Sequence, residues 1–231
     1  QPNQPLPVQC QAEAAQVGLG PISDPDTLWN YELGSKSSFA GGKLSANFAV
    51  YRSQWDGVQL SSSLACGFNG TLNGGDVRAK GIEVELLMRP SDAWRSNLPA
   101  SHNDNEFESA KPGTGFAAGE RLPGSPKENY SLGAQYNFNI GARWGGFARA
   151  DYTHVGDVRV VFIGDPDVRL DAYDTANARL GFQTDTLSLD LYARNLTDER
   201  AVVSQGEPAL GGTQVIIRPR EIGVELRYQL R

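Results

Sequence analysis

From Tyr173 to Asp198 the chain reads YDTANARLGFQTDTLSLDLYARNLTD, and polar and apolar residues alternate along it nearly one for one. Ala176, Ala178, Leu180 and Phe182 share one side; Thr175, Asn177, Arg179 and Gly181 share the other. After the polar Gln183-Thr184-Asp185, Leu187, Leu189, Leu191 and Ala193 alternate with Ser188, Asp190, Tyr192 and Arg194. A period of two places successive side chains on opposite faces of a pleated strand. Two such runs around a short polar turn predict a hairpin. Its polar face carries full charges, Arg179, Asp190 and Arg194, while the other face is oily. In a soluble sheet the oily face packs on a core and the charged face meets water. In a membrane barrel the oily face meets lipid and the charged face meets the lumen.

The same alternation predicts seven further strands. The first starts at Leu28, with Trp29, Tyr31 and Leu33 opposing Asn30, Glu32, Gly34 and Lys36. The second, Lys43 to about Asp56, sets Leu44, Ala46, Phe48 and Val50 against Ser45, Asn47 and Ser53. A polar connection through Cys66 leads to the third, about Asp76–Arg89, with Ile82, Val84, Leu86 and Met88 against Gly81, Glu83 and Glu85. The fourth, Ala93–Phe107, is the poorest strand, because Pro99 removes a ladder donor and polar residues follow it. Asn129–Phe138 and Trp144–His154 are the fifth and sixth; the opening hairpin supplies the seventh and eighth. The ninth runs to the end, with Ile222, Val224, Leu226, Tyr228 and Leu230 opposing Glu221, Gly223, Glu225, Arg227 and Gln229. Residues 1–27 hold five prolines and read as an external loop or arm, with one short helical turn over Ala12–Leu19.

Connections after the first, third, fifth and seventh strands are short, and those after the second, fourth, sixth and eighth are long. Short turns at one end and long loops at the other are the habit of outer-membrane barrels. The strands exceed the ~5–6 residues usual in globular sheets and meet the ~9–11 that a tilted membrane strand needs. Trp29, Tyr31, Trp55, Tyr130, Trp144, Tyr152 and Tyr228 near strand ends suit interfacial girdles. No apolar run reaches the ~18 residues of a membrane helix. Mean hydropathy is −0.40, which says little of a barrel, since half of every strand is polar. A net charge of −6 argues against a nucleic-acid surface. Nine is odd where single-chain bacterial barrels have even counts, so the chain is expected to lack its beginning.

Several stretches together resemble the C-terminal half of TonB-dependent outer-membrane receptors. They are LWNYELGSKS (Leu28–Ser37), LSANFAVYRSQWDGVQ (Leu44–Gln59), KGIEVEL (Lys80–Leu86), LYARNLTDERA (Leu191–Ala201) and RPREIGVELRYQL (Arg218–Leu230). GERLPGSPKENYSLGAQYNF (Gly119–Phe138) is similar to that family's re-entry from an external loop. The resemblance covers most of 28–230. It implies an all-β fold, an antiparallel up-and-down transmembrane β-barrel, of which residues 28–231 supply about nine C-terminal strands out of 22, with the plug absent. It further implies a cell outer membrane of a Gram-negative bacterium and uptake of a scarce ligand such as an iron–siderophore or other metal chelate. The partners implied are outer-membrane lipid and the TonB system, the latter through an N-terminal plug and box that this stretch lacks. The chain departs from the family in its proline-bearing fourth strand and in ending on Leu230-Arg231 instead of an aromatic residue.

On that resemblance the polar-face charges Glu32, Lys36, Glu83, Glu85, Arg149, Asp151, Arg179, Asp190, Arg194, Glu225 and Arg227 would line the lumen and meet the plug. Cys10 and Cys66 would fall in neighbouring external loops, as a disulfide or as two thiols; related receptors carry a similar pair. Ligand contacts are expected from loops near Thr71–Gly75, Glu108–Gly124, Phe162–Leu170 and Val203–Gly212, with no residue assigned a role. Asp165, Asp167, Asp171 and Asp174 read as solvated loop acids before they read as a calcium site. His102 and His154 read as isolated, and the three Asn-X-Ser/Thr triplets as chance. No phosphate loop, dinucleotide fingerprint, nucleophile elbow or zinc motif occurs, so no enzyme and no cofactor is expected. Two other functions stay open: a non-transporting outer-membrane barrel, porin-like or adhesive, and a soluble carbohydrate-binding β-protein.

Overall fold

The computed structural model describes residues 6–162, 165–206 and 212–230. A helix, α1 (Val8–Val17), precedes β1 (Thr27–Phe39) and β2 (Leu44–Asp56). A hairpin of β3 (Gln59–Ser63) and β4 (Asn69–Asn73) leads to β5 (Gly75–Met88) and β6 (Trp94–Ala110). After β7 (Glu128–Ile140) and β8 (Trp144–Val155) comes a second hairpin, β9 (Val158–Phe162) and β10 (Asp165–Leu170). Then follow β11 (Tyr173–Gln183), β12 (Leu187–Arg194), the pair β13 (Val202–Gln205) and β14 (Gln214–Ile216), and β15 (Glu221–Tyr228).

The nine long strands form one sheet in the order β1-β2-β5-β6-β7-β8-β11-β12-β15, every neighbour antiparallel. They correspond to the nine strands expected from alternation. The sheet is open, with β1 and β15 at its edges. Register keeps the two sides apart, because a slip of one residue would turn a whole strand over. Leu191 lies opposite Leu180 and Val224, and Leu189 lies opposite Phe182 and Leu226. On the reverse side Asp190 lies opposite Gly181 and Glu225.

The proline-bearing strand is real, and longer than expected. The ladder from β6 to β5 runs unbroken through Pro99, which lies opposite Glu85. The ladder from β6 to β7 skips Leu98 and Pro99 between the pairs Asn97–Gly133 and Ala100–Tyr130. A proline has no N–H to give, and the gap falls where that donor is missing.

The short turns (Ala40–Gly42, 89–93, 141–143, 184–186) all lie at one end. The other end differs from the sequence reading. The connection through Cys66, expected as an irregular polar loop, is mostly the β3–β4 hairpin, and the arm forms a helix from Val8 instead of a turn from Ala12. The buried apolar side chains sit here, off the strands' oily face. One cluster joins Cys10, Ala14, Leu19, Leu64 and Leu72; a second joins Val58, Val77 and Phe107. Cys10 and Cys66 are bonded, S–S 2.03 Å with Cα atoms 5.6 Å apart, so α1 is stapled to the β3–β4 hairpin. Glu13 reinforces the contact by accepting from the backbone N–H of Ala65 at 2.9 Å.

The bridge closes a loop of 56 residues, for which the chain-entropy relation gives about 4 kcal/mol. Replacing both cysteines by serine should therefore free α1 from its hairpin. Hydrogen exchange over Val8–Val17 should rise by several orders of magnitude while the nine-stranded sheet stays protected. Unchanged exchange in α1 would show that packing alone holds the arm.

Candidate functional site

Along the polar face, alternation and register together bring the predicted charges into rows. Glu32, Lys36, Glu83 and Glu85 line one concavity of about 740 Å³, with Asn47, Ser101 and Ser131 beside them. Asn47 donates from Nδ2 to Glu85 Oε2 at 2.8 Å. Glu32 and Glu83 form no ion pair among the described residues. Tyr51 reaches across the same face, its hydroxyl donating to Asn103 Oδ1.

The remaining predicted charges zip into a network over β8, β11, β12 and β15. Arg149 donates from Nε to Asp151 Oδ2 at 2.8 Å. Arg179 reaches Asp190 Oδ2 at 2.6 Å and Glu225 Oε2 at 3.5 Å, and Arg227 reaches Glu225 Oε1 at 2.9 Å. Arg194 pairs with Glu221 at 3.2 Å and lies over the ring of Tyr192, 4.7 Å from its centroid. Arg149 and Arg179 stand directly opposite each other, a costly pairing of like charges. Each has its own carboxylate, so the repulsion is offset.

The two histidines are not isolated. His102 Nδ1 lies 3.3 Å from Glu128, and His154 Nδ1 lies 2.8 Å from Asp174, which also accepts from the Tyr152 hydroxyl at 2.7 Å. Sequence spacing could not reveal these partners, because each pair spans two strands whose register must first be known. Among the described residues no group of three or more His, Cys, Asp or Glu is placed to hold a metal. Of the four acids near 170, the side chains of Asp165 and Asp167 lie outside the described residues. Of the expected ligand loops, Thr71–Gly75 belongs to β4 and the start of β5, and Glu108–Gly124 begins inside β6. Phe162–Leu170 and Val203–Gly212 fall partly outside the described residues.

The family described as TonB dependent receptor-like, β-barrel, matches residues 12–196. The chain belongs to the TonB-dependent receptors. It is 31% identical over 128 residues to the ferric-pyoverdine 358 receptor of Pseudomonas putida, which covers 50% of this chain and 16% of that receptor. It is 25% identical over 182 residues to the metal-pseudopaline receptor of Pseudomonas aeruginosa, 78% of this chain and 25% of that one. In structure it is similar to the ferric yersiniabactin uptake receptor of Yersinia pestis, with a TM-score of 0.73 and 22% identity over 88% of this chain and 30% of that one. The chain thus spans less than a third of each of these receptors. Members of this family are transport receptors of the Gram-negative outer membrane, and this chain's place is that membrane.

In this TonB-dependent receptor chain, the phrase LYARNLTDERA has a physical reason. Asn195 is buried and takes a left-handed backbone (φ 48°) that asparagine tolerates. Its Nδ2 donates to the carbonyls of Glu199 (2.8 Å) and Arg218 (2.9 Å), and its own N–H donates to Asn177 Oδ1 (2.9 Å). One residue thereby ties the end of β12 to β11 through its backbone N–H and to the approach of β15 through its side chain. Beside it, outside the strands, Asp198 accepts from the backbone N–H of Arg220 at 2.8 Å and from the Arg200 guanidinium at 3.1 Å. These two bonds hold its carboxyl below the ordinary 3.8.

A depressed carboxylate pKa contributes order that is fully present above the unfolded value and is lost as pH falls through the folded one. The Arg220 amide should therefore stay protected from hydrogen exchange at neutral pH and lose protection only below about pH 4. Asp198→Asn should abolish that acid step. A step that survives in the variant would assign the titration elsewhere.

Proposed function

We propose that this chain forms part of the barrel wall of an outer-membrane receptor that takes up a metal chelate with energy from the TonB system. One observation carries the reading: among the described residues no protein layer covers the sheet's apolar face. Leu33 is 74% exposed, Leu226 67%, and Phe48, Ile82, Leu132, Tyr136 and Leu191 on the same face are each more than a third exposed. A water-soluble monomer rarely leaves so large a contiguous apolar surface bare. Hydrocarbon supports it, and the strands lose no backbone bonds there because the ladders are internal. Trp94 and Tyr136, with ring centroids 6.1 Å apart, and Trp144 sit toward the short-turn end, as an interfacial girdle requires.

On this reading the opposite face looks into a wet bore. Glu32, Lys36, Glu83, Glu85, Arg149, Asp151, Arg179, Asp190, Arg194, Glu225 and Arg227 line it and meet the plug. Residues 1–27 act as an external arm and 28–231 as wall. The relatives' names supply the cargo class: pyoverdine, pseudopaline and yersiniabactin are ligands of those receptors. A metal chelate is the cargo proposed here, met by the external hairpins and loops.

Cells lacking the receptor should lose uptake of radiolabelled iron or another metal presented on at least one chelator of a siderophore panel. Uptake in cells that have it should collapse when the proton-motive force is dissipated. Uptake indifferent to both would remove the transport reading. At the level of the wall, Leu191→Arg on the apolar face should destabilise the folded receptor in bilayers by about 2–4 kcal/mol, measured by denaturant unfolding. Ser188→Arg on the polar face should cost much less, and equal costs would mean that both faces see water.

A further inference from the structure

The polar face carries a second feature at the short-turn end of the sheet. Register sets Arg95 opposite Gln135, Gln135 opposite Arg149 and Arg149 opposite Arg179, one row across β6, β7, β8 and β11. Continued the other way, the row reaches Arg89 and then Lys43, one residue past the pairs Met88–Ser96 and Leu44–Met88. The Arg89 N–H donates to the Lys43 carbonyl at 2.7 Å, so the ladder between these two strands does extend that far. Lys43, Arg89 and Arg95 therefore stand side by side, and like charges so placed repel. Further along the row, Arg149 and Arg179 each have a carboxylate. The side chains of Lys43, Arg89 and Arg95 have none among the described residues, and all three are exposed.

The three cations line a concavity of about 630 Å³ together with the turn residues Gly42, Ser91 and Asp92. Asp92 is the one acid of that lining, and it forms no ion pair among the described residues. Positive charge is thus left unmet in a space of the size that small molecules occupy. The acids on the same face of β5 lie away from it, Glu85 and Glu83 being four and six residues nearer the long-loop end. A negative ligand is repelled from the middle of β5 and drawn to its short-turn end. On the membrane reading, that end is the inner mouth of the bore.

We propose that Lys43, Arg89 and Arg95 form an exit-side site for a negatively charged metal chelate, separate from any recognition site in the long loops. Hard cations take oxygen ligands, and a ferric tris-catecholate keeps surplus negative charge where a ferric tris-hydroxamate is neutral. Guanidinium forks suit such oxygens two at a time, and the Lys43 ammonium adds a point charge. The bound chelate supplies the negative charge that the row lacks. Glu83 and Glu85 oppose its return along β5. The proposal rests on the transport reading above and narrows the cargo to chelates that keep a negative charge.

The test uses the intact receptor purified in detergent, carrying Ser91→Cys labelled with a fluorophore that a bound ferric chelate quenches. A hexadentate ferric tris-catecholate should quench it saturably, and a neutral ferric tris-hydroxamate of similar size should not. Adding Arg89→Glu and Arg95→Glu should raise the chelate concentration needed at least about tenfold, whereas Arg89→Lys with Arg95→Lys should keep most of the binding. A label at Ser61→Cys, on the β3–β4 hairpin, should respond alike in all these receptors, which separates loss of the site from loss of folding or of long-loop binding. Equal quenching at position 91 by both chelates, or a charge reversal without effect, would overturn the site. Inorganic phosphate that displaces the chelate at equal concentration would overturn the chelate as occupant. A thiol at position 91 that stays closed to label would overturn the site as an open one. Metal uptake indifferent to the receptor would sink the transport reading, and quenching in the purified receptor keeps that outcome distinct from the others.

Discussion

A strand has only two faces, and this chain gives them to two incompatible solvents. Everything else in the sheet follows from keeping them apart. The backbone cannot contribute polar groups to the oily side, so each strand must find both neighbours. Register cannot slip, because a shift of one residue would drive Asp190 and Arg179 into the face that carries Leu189 and Leu191. The ladders accordingly run in consecutive order over nine strands, and even Pro99 is absorbed by dropping one local stretch of pairing on one side.

The charged face solves a different problem. Its ions are half-exposed, where a single pair is worth about 0–1 kcal/mol, so no pair there anchors the fold. Their arrangement is informative in another way. Across β8, β11, β12 and β15 nearly every cation has a carboxylate within reach. Across β1, β2 and β5, Glu32 and Glu83 have no cationic partner among the described residues, and Lys36 is the one cation among the predicted charges there. One stretch of this face is balanced and the other is acidic, so on the proposed reading whatever fills the bore meets the two on unequal terms.

Much of this was legible from residue order. Alternation gave all nine strands of the main sheet, because a period of two survives without knowledge of partners. The alternation of short and long connections gave the two ends. What stayed hidden depends on distance across strands. The pairings His154–Asp174 and Arg121–Asp157 join residues 20 and 36 positions apart and need the register to be visible. The β3–β4, β9–β10 and β13–β14 hairpins look like loops in the sequence, since strands of three to six residues carry too little alternation to stand out from a polar connection. Asn195 shows the limit most clearly. Only its bonds to three separate segments, at Asn177, Glu199 and Arg218, explain why an asparagine, with a side chain that both donates and accepts, occupies that left-handed turn.

The placement of the buried core carries one more consequence. In the sheet, lipid stands in for an interior, so the strands need none of their own. Beyond the membrane that substitute ends, and the loops must exclude water themselves. They do so with the means of small soluble domains: short hairpins, a stacked pair of phenylalanines (Phe107 and Phe116, centroids 4.7 Å apart) and a disulfide. The long-loop end is therefore built as separate small cores seated on a continuous sheet. Residues on those hairpins can change without disturbing the ladders, because the two regions draw stability from different solvents.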